Sequence, residues 1–544
     1  MNLNDRITQL LNLVEKDYGN LTDDFYISLG APKIKANIKF FRKSNNPKRD
    51  IINHIEKFIK KNKFVPRWIK LDIITNVEDI FYDDLVKTMV NTRRNYIEYG
   101  IALDEMWNLS FLPEVINANA FIKPDKKSKK LILSETNINH YLLKYTHQKI
   151  AFKNEIYVGK RVKKFFTKGY FLDEDEVFVL EDKGYSKGLR LVPNLSEEID
   201  CLIEKSTEYL SSEINLNGKY TYGYFPHFDR NISFYNNLRH ASSTYSLIEG
   251  LNYTGKEISI AEKPIYYLIE NYLYEVEGKG YIYDDTNQIN EIKLGQNAAF
   301  IFAVCEYLKH QKNETFLKAA QSVANGMAEM IDVQGNTKHV LNYPDLSLKE
   351  KFRIIYYDGE AALAFLRLYQ IDGDLRWLNI VKMMFEKFIC ENYWKYNDHW
   401  LGYCTNELVQ IIPDKRYFEL GIRNAAGQLD FIEKRETTFP TFLEMMMATY
   451  HLIQKAKADG MEELVQQLID EDKLVRIIHK RANYQRIGFF YPETAMYFKN
   501  PARILNGFFI KHHGFRVRID DIEHYLSGYV QYQKVFKSIH GEVD

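Results

Sequence analysis

In the stretch YYDGEAALAFLRLYQ, Asp358 and Glu360 flank a glycine at the head of a run with almost no polar face. Like charges at that range raise one pKa and favour a protonated acid beside an ionised base, the pairing general acid–base catalysis uses. Similar polar groups head other apolar segments: Arg239 and His240; Gln296 and Asn297; Asp398, His399 and Trp400, with Glu407 two turns on; residues 435–438; and Arg518, Asp520 and His524. His240, His399 and His524 are candidate bases. Arg239 and Arg518 have the planar fork that grips a carboxylate or phosphate. Helix caps alone account for Asp358, Asp398 and Asp520, because acidic residues favour a first turn. They do not account for two arginines at helix heads, where cations are disfavoured, nor for His240, His399 and Trp400 together.

These residues need a scaffold that brings separate helix heads to one place. From about residue 193 onward, helical spacing repeats. Five polar turns, among them NYTGKE, HQKNET and IDGDL, each end one helix and start the next. The spacing predicts twelve helices near 195–212, 238–252, 257–274, 295–311, 313–332, 358–371, 373–391, 400–411, 415–429, 437–457, 460–482 and 517–538. The odd-numbered helices are amphipathic; the even-numbered ones, such as NAAFIFAVCEYL, are apolar all round and so buried on every side. Alternation of half-buried and fully buried helices predicts two concentric rings. The expected class is therefore mainly α: an (α/α)6 toroid of six hairpins over 193–544, preceded by a smaller α+β domain over 1–190. In the first part, WIKLDIITN and EVFVLED alternate like strands, while 77–97 has helical spacing.

The remaining features set bounds. The chain has 544 residues, 73 basic against 73 acidic, so its overall charge selects no partner class. Cys201, Cys305, Cys390 and Cys404 have no metal-binding or CxxC spacing, which suggests free thiols in a reducing compartment. No signal-peptide core and no long uninterrupted apolar run is present, so a cytoplasmic location is expected. Residues 120–169 hold thirteen Lys/Arg against three Asp/Glu, a solvated face or a docking surface for an anionic partner. No RNA-binding or zinc-finger motif accompanies it, so nucleic acid is not expected.

The hairpin repeat, turns such as LYQIDGDLRWL, and the inner-helix heads LRHAS, YYDGEAAL and NDHW resemble the six-hairpin (α/α)6-barrel superfamily of carbohydrate-active proteins. That group includes unsaturated glucuronyl hydrolases and N-acylglucosamine 2-epimerase-like proteins, and the resemblance covers roughly 193–540. It implies a cup with carboxylates and histidines at its floor and aromatic walls, here Tyr222, Tyr224, Phe225, Tyr357 and Trp400. Asp358, Glu360, Asp398, His399, Asp520 and His240 become the catalytic candidates. Arg239, Arg518, Trp400, Tyr222, Tyr224, Gln296, Asn297, Tyr357, Glu407 and His524 become the substrate-binding candidates. Hydrolysis would use two of the carboxylates; epimerase or lyase chemistry would use a histidine base. The arginines favour an acidic sugar or glycan. No metal or cofactor is expected: the zinc sets of lanthipeptide cyclases and prenyltransferases, the DxDD acid of terpene cyclases and the P-loop and dinucleotide motifs are all missing. The competing readings are a non-catalytic glycan- or peptide-binding scaffold and a peptide- or polymer-modifying enzyme on the same fold.

Overall fold

A computed structural model describes residues 3–540 apart from 20, 22, 147–149 and 175. It divides into two compact units: residues 1–194 with 224–230 and 486–517, and residues 195–223 with 231–485 and 518–544. The first unit thus takes in a late segment that the sequence pattern alone grouped with the toroid.

The first unit is built on a seven-stranded sheet. Its spine is the antiparallel pair Trp68–Phe81 and Arg161–Asp173, in register from Trp68 opposite Asp173 to Phe81 opposite Arg161. Helices Leu3–Asp17 and Pro47–Asn62 lay Ile7, Leu10, Ile51 and Ile55 on one face, over Ile27, Leu29, Ile69 and Leu71. The expected helix over 77–97 is shorter than its spacing suggests. The strand runs on to Phe81 and the helix occupies only Tyr82–Asn91, because the ladder with Arg161–Asp173 continues past the core. Three lysines of the basic stretch find acidic partners, two of them on that extension. Lys163 pairs with Asp79 at 2.9 Å, Lys164 with Glu78 at 3.0 Å and Lys168 with Asp17 at 2.6 Å. Lys126, Lys127, Lys129 and Lys130 stand exposed in the turn between strands Ile122–Pro124 and Leu131–Leu133; residues 147–149 of the stretch lie outside the described residues.

The second unit is an (α/α)6 toroid. Its twelve helices, in chain order, are Leu195–Ser212, Asn237–Tyr253, Glu262–Tyr272, Leu294–Leu308, Glu314–Ala328, Tyr356–Asp372, Leu375–Cys390, His399–Val409, Lys415–Ala426, Thr441–Ala458, Glu471–Gln485 and Ile519–His540. The second, fourth, sixth, eighth, tenth and twelfth pack each on the next, and the twelfth packs on the second, closing an inner ring. The fourth is buried from Leu294 to Tyr307 and the sixth from Tyr357 to Leu368, which is why neither has a polar face. Several boundaries move, among them the start of the third helix from 257 to Glu262, and two shifts have a visible cause. The tenth helix starts at Thr441, after Pro440, because Arg481 holds the carbonyls of Arg435 and Thr437 at 3.0 and 2.9 Å in a non-helical entry. The eleventh breaks at Ile469, which is extended, and restarts where Asp470 accepts the amide of Lys473 at 2.9 Å. A five-stranded sheet from Leu273 to Glu350 fills the connections around the fourth and sixth helix heads.

Candidate active site

Successive hairpins orient all six inner helices alike, so their N-termini gather at one end of the ring. Glycines let three of them crowd there. The Glu360 carboxylate lies against the backbone of Gly295, and that of Asp398 against Gly359; a Cβ at either glycine would overlap the carboxylate oxygen. Gly359→Ala should therefore lower stability by about 1–3 kcal/mol, read from the denaturant midpoint, whereas Ala at the open Gly427 should not.

Three side chains meet at the centre. His524 and Glu444 are joined at 2.9 Å, Nδ1 to Oε2. The His399 ring lies 5.5 Å from that of His524 and 4.8 Å from Trp400, which itself stacks on Phe302 at 5.0 Å. His399 Nε2 is buried and has no hydrogen-bond partner among the described residues. Burial, with the charge of His524, holds His399 well below the usual imidazole pKa. Burial also acts to lower His524, but the Glu444 and Glu523 carboxylates outweigh it and push His524 up to about 10. Two further acids line the mouth. Burial raises Glu523 to about 8, although Ser242 Oγ donates to it at 2.5 Å. Burial and the charges of Asp398 and Glu523 raise Glu360 well above the carboxylate range, and its Oε2 has no partner. Burial and neighbouring charge thus favour the neutral form of His399, the imidazolium of His524 and the protonated forms of Glu360, Glu523 and Asp398. The ligand atoms of His399, Glu444 and His524 lie within 4.8 Å of one another, so these three residues also have the donor types to hold a divalent ion.

Several candidates are occupied by the fold itself. Asp358 accepts from Thr337 at 2.5 Å, Tyr393 at 2.9 Å and His339 at 3.1 Å. Burial raises its pKa, and these bonds overcome that and lower it. Asp398 is a helix cap, accepting the amides of Trp400 at 3.0 Å and Leu401 at 3.3 Å. Asp520 takes Arg239 Nε at 2.9 Å and Arg518 Nη2 at 2.6 Å, and Arg239 also donates to Tyr222 at 2.7 Å. Arg518 reaches Asp521 as well, at 3.3 Å, so two arginines are matched by two aspartates. His240 is removed from the list of bases: Tyr235 and the Pro264 carbonyl take its two nitrogens at 2.7 and 2.9 Å, and it is fully enclosed. Asn297 and Gln296 are tied to backbone, Asn297 to Ile282 N at 2.7 Å and Gln296 to Tyr283 O at 3.0 Å. Tyr357 is buried with its ring 5.3 Å from His339. Tyr224 falls in the first unit, bonded to Asp229.

Glu407 sits near the C-terminal end of its helix, away from the mouth, paired with Arg367 at 2.8 Å. Arg367 is almost fully buried there, so Glu407→Gln should strand its charge and destabilise the fold by about 3–5 kcal/mol. A calorimetric scan checks this, and turnover per folded molecule should not change. Glu444 and Glu523 were missed by sequence reasoning. For Glu444 a signal existed, an acid inside the apolar run TFLEMMM; Glu523 sits among Asp520, Asp521 and His524 in DDIEHYL, where nothing in the spacing marks it.

No family model matches the sequence, and no curated protein matches it. Among solved structures the chain is similar to cellobiose 2-epimerase from Bacillus thermoamylovorans B4167 (TM-score 0.48, 10% identity, covering 62% of this chain and 99% of that one). It is also similar to the GH76A α-1,6-mannanase from Salegentibacter sp. HEL1_6 (TM-score 0.43, 12% identity, 62% and 98% covered) and to a D-mannose isomerase (TM-score 0.45, 10% identity, 63% and 100% covered).

Proposed function

We propose that the toroid is a sugar-active enzyme that moves a proton at a carbon next to a carbonyl, as an epimerase or an aldose–ketose isomerase does. The observation that carries this reading is geometric: His399 Nε2 has no hydrogen-bond partner among the described residues, and His524 beside it is bonded to Glu444, with burial favouring the neutral form of His399. His399 Nε2 takes the C–H proton, and the electron pair moves into a carbon–carbon double bond as the carbonyl oxygen gains charge. His524 or the Glu360 acid donates a hydrogen bond to that oxygen. A proton from His524 on the opposite face of the same carbon gives the epimer, with His399 left holding the abstracted proton; return of that proton from His399 to the former carbonyl carbon, with the neighbouring hydroxyl proton passing to the oxyanion, gives the isomer. Hydrolysis is less well served, because it needs an ionised carboxylate opposite a protonated one. Glu360 and Glu523 are both pushed towards the protonated form, Asp358 is enclosed, and Asp398 caps a helix.

A sugar suits the mouth because hydrogen-bonding groups gather there beside the edge of the Trp400–Phe302 stack. The arginines suggested an acidic sugar, but Asp520 and Asp521 already balance them. The reading here is a neutral reducing sugar.

The test is turnover of a panel of reducing hexoses and disaccharides, neutral and acidic, by the full chain. Interconversion of epimers or of aldose and ketose is expected; saturable binding with no turnover would point instead to a glycan-holding scaffold. The rate should also fall above about pH 8, where Glu523 loses its proton, and again towards pH 10 with His524. Glu523→Gln should remove the first of these two steps from the pH profile and leave the second. Chelator should leave turnover unchanged under this reading; loss with chelator and recovery with zinc would reassign His399, Glu444 and His524 to a metal.

A further inference from the structure

In the first unit, separate segments bring Lys35, His140, Lys144 and Lys499 together with no acid among them. Lys35 stands on strand Ile34–Phe41, at the edge of the seven-stranded sheet. His140 and Lys144 stand one turn apart on helix Glu135–Tyr145. Lys499 belongs to a segment laid along the start of the strand. Ala36 donates its amide to the Met496 carbonyl at 2.7 Å, and Ala502 donates to the Pro32 carbonyl at 2.8 Å. Lys499 lies between those two bonds.

A lysine on an open face ordinarily turns its ammonium into water. Lys35 does not. It is half-buried, and it donates to Asn119 Oδ1. Its Nζ lies 4.5 Å from the Tyr145 ring centre and 5.4 Å from that of Tyr141. Lys144 Nζ lies 5.5 Å from the same Tyr145 ring, so one ring carries two ammonium groups. Burial and the charges of Lys499 and Lys144 lower the Lys35 pKa to about 7. Burial and the charges of Lys499, Lys144 and Lys35 lower that of His140. No carboxylate is among the charges that act on either group. Asn500, beside Lys499, does reach an acid, Asp229, at 3.4 Å, and that carboxylate also takes the Tyr224 hydroxyl.

Folding thus gathers cations that repel one another, and their neighbours Asn119, Tyr141 and Tyr145 bring no negative charge. An anion would relieve the repulsion. A carboxylate offers one charge and two oxygens, fewer than the donors that face it. A phosphate group offers about two charges and three acceptor oxygens, and lysines bind it as point charges. We propose that Lys35, His140, Lys144 and Lys499 form a second ligand site, distinct from the toroid mouth, that binds the phosphate group of a small molecule. The same chemistry serves free phosphate and a phosphate ester.

Calorimetric titration of the full chain tests this with inorganic phosphate, with glycerol 3-phosphate and with glycerol. None of these is a reducing sugar, so failure here and failure of the proposed chemistry are distinguishable. Saturable binding of both phosphate-bearing probes is expected, and none of glycerol. Tighter binding of the ester would identify an ester as the ligand; equal affinity would identify phosphate itself. Both results uphold the site. Lys35→Gln, Lys144→Gln and Lys499→Gln should each weaken binding by about tenfold, and His399→Gln should leave it intact. At about pH 8, above the Lys35 value, binding should take up a proton, seen as a heat that changes with the ionisation enthalpy of the buffer. If Lys35→Gln fails to fold, Lys144→Gln, at an exposed helix position, keeps the test. Absence of saturation with either phosphate probe up to about 10 mM, or affinity unchanged in the lysine variants, would overturn the proposal. So would binding of a DNA oligonucleotide with no response to either small probe.

Discussion

Replacing His399 with glutamine should lower turnover by about 10²–10⁴-fold, the range expected for loss of a general base, while the protein stays folded. His399 is suited to this separation. Its Nε2 makes no hydrogen bond, so no fold contact is lost with the ring nitrogen. Its neighbours Trp400 and Phe302 stack on each other, and Asp398 caps the helix through backbone amides. His524→Gln should behave differently. Glu444 is buried and would lose the imidazolium it faces at 2.9 Å, so this variant should lose turnover and also about 3–5 kcal/mol of stability. Thermal unfolding measured beside turnover separates the two: one histidine free to act, the other anchored by an acid. Equal destabilisation by both would mean that His399 is a packing residue.

The second large effect is on stability and comes from Asp398. Burial raises its pKa to about 8, with the amides of Trp400 and Leu401 acting against the shift and the charge of Asp358 adding to it. In the unfolded chain an aspartate titrates near about 3.9. Between those values the folded protein keeps a proton that the unfolded chain gives up, so stability falls as pH rises from about 4 to about 8. At 1.36 kcal/mol per unit the decline is of the order of several kcal/mol. Asp398→Asn removes the ionisation and keeps a side-chain oxygen for the cap. The variant should be less pH-dependent than the parent and more stable than it at pH 8, with turnover retained. Urea midpoints at pH 5 and pH 8 measure this. A variant that is less stable than the parent at both values would show that Asp398 is ionised in the folded protein.

Much of the toroid is legible in the residues. Polar turns end helices in a way that depends only on local backbone chemistry, and the run Ala298–Cys305, with no polar face, marks an inner helix. The failures have a common cause, in that local spacing says nothing about a partner distant in the chain. Residues 77–81 have helical spacing but pair with residues 161–165, and that ladder wins. Arg481 sets where the tenth helix begins from 40 residues away in sequence. The site was legible to the same degree. His399 and Glu360 stand out as polar groups at apolar helix heads. Whether such a group is free or enclosed depends on the surrounding loops: Thr337, His339 and Tyr393 enclose Asp358, and Tyr235 with the Pro264 carbonyl encloses His240. None of those partners has a spacing that marks it.

Proton exchange with solvent is the most direct probe of the central claim. The full chain would be incubated in deuterium oxide with reducing hexoses and disaccharides, and the substrate followed by proton NMR. Deuterium should enter at the carbon next to the carbonyl in the parent protein and not in His399→Gln. Cleavage of glycosidic bonds with no exchange at that carbon, or exchange that continues unchanged in His399→Gln, would contradict it.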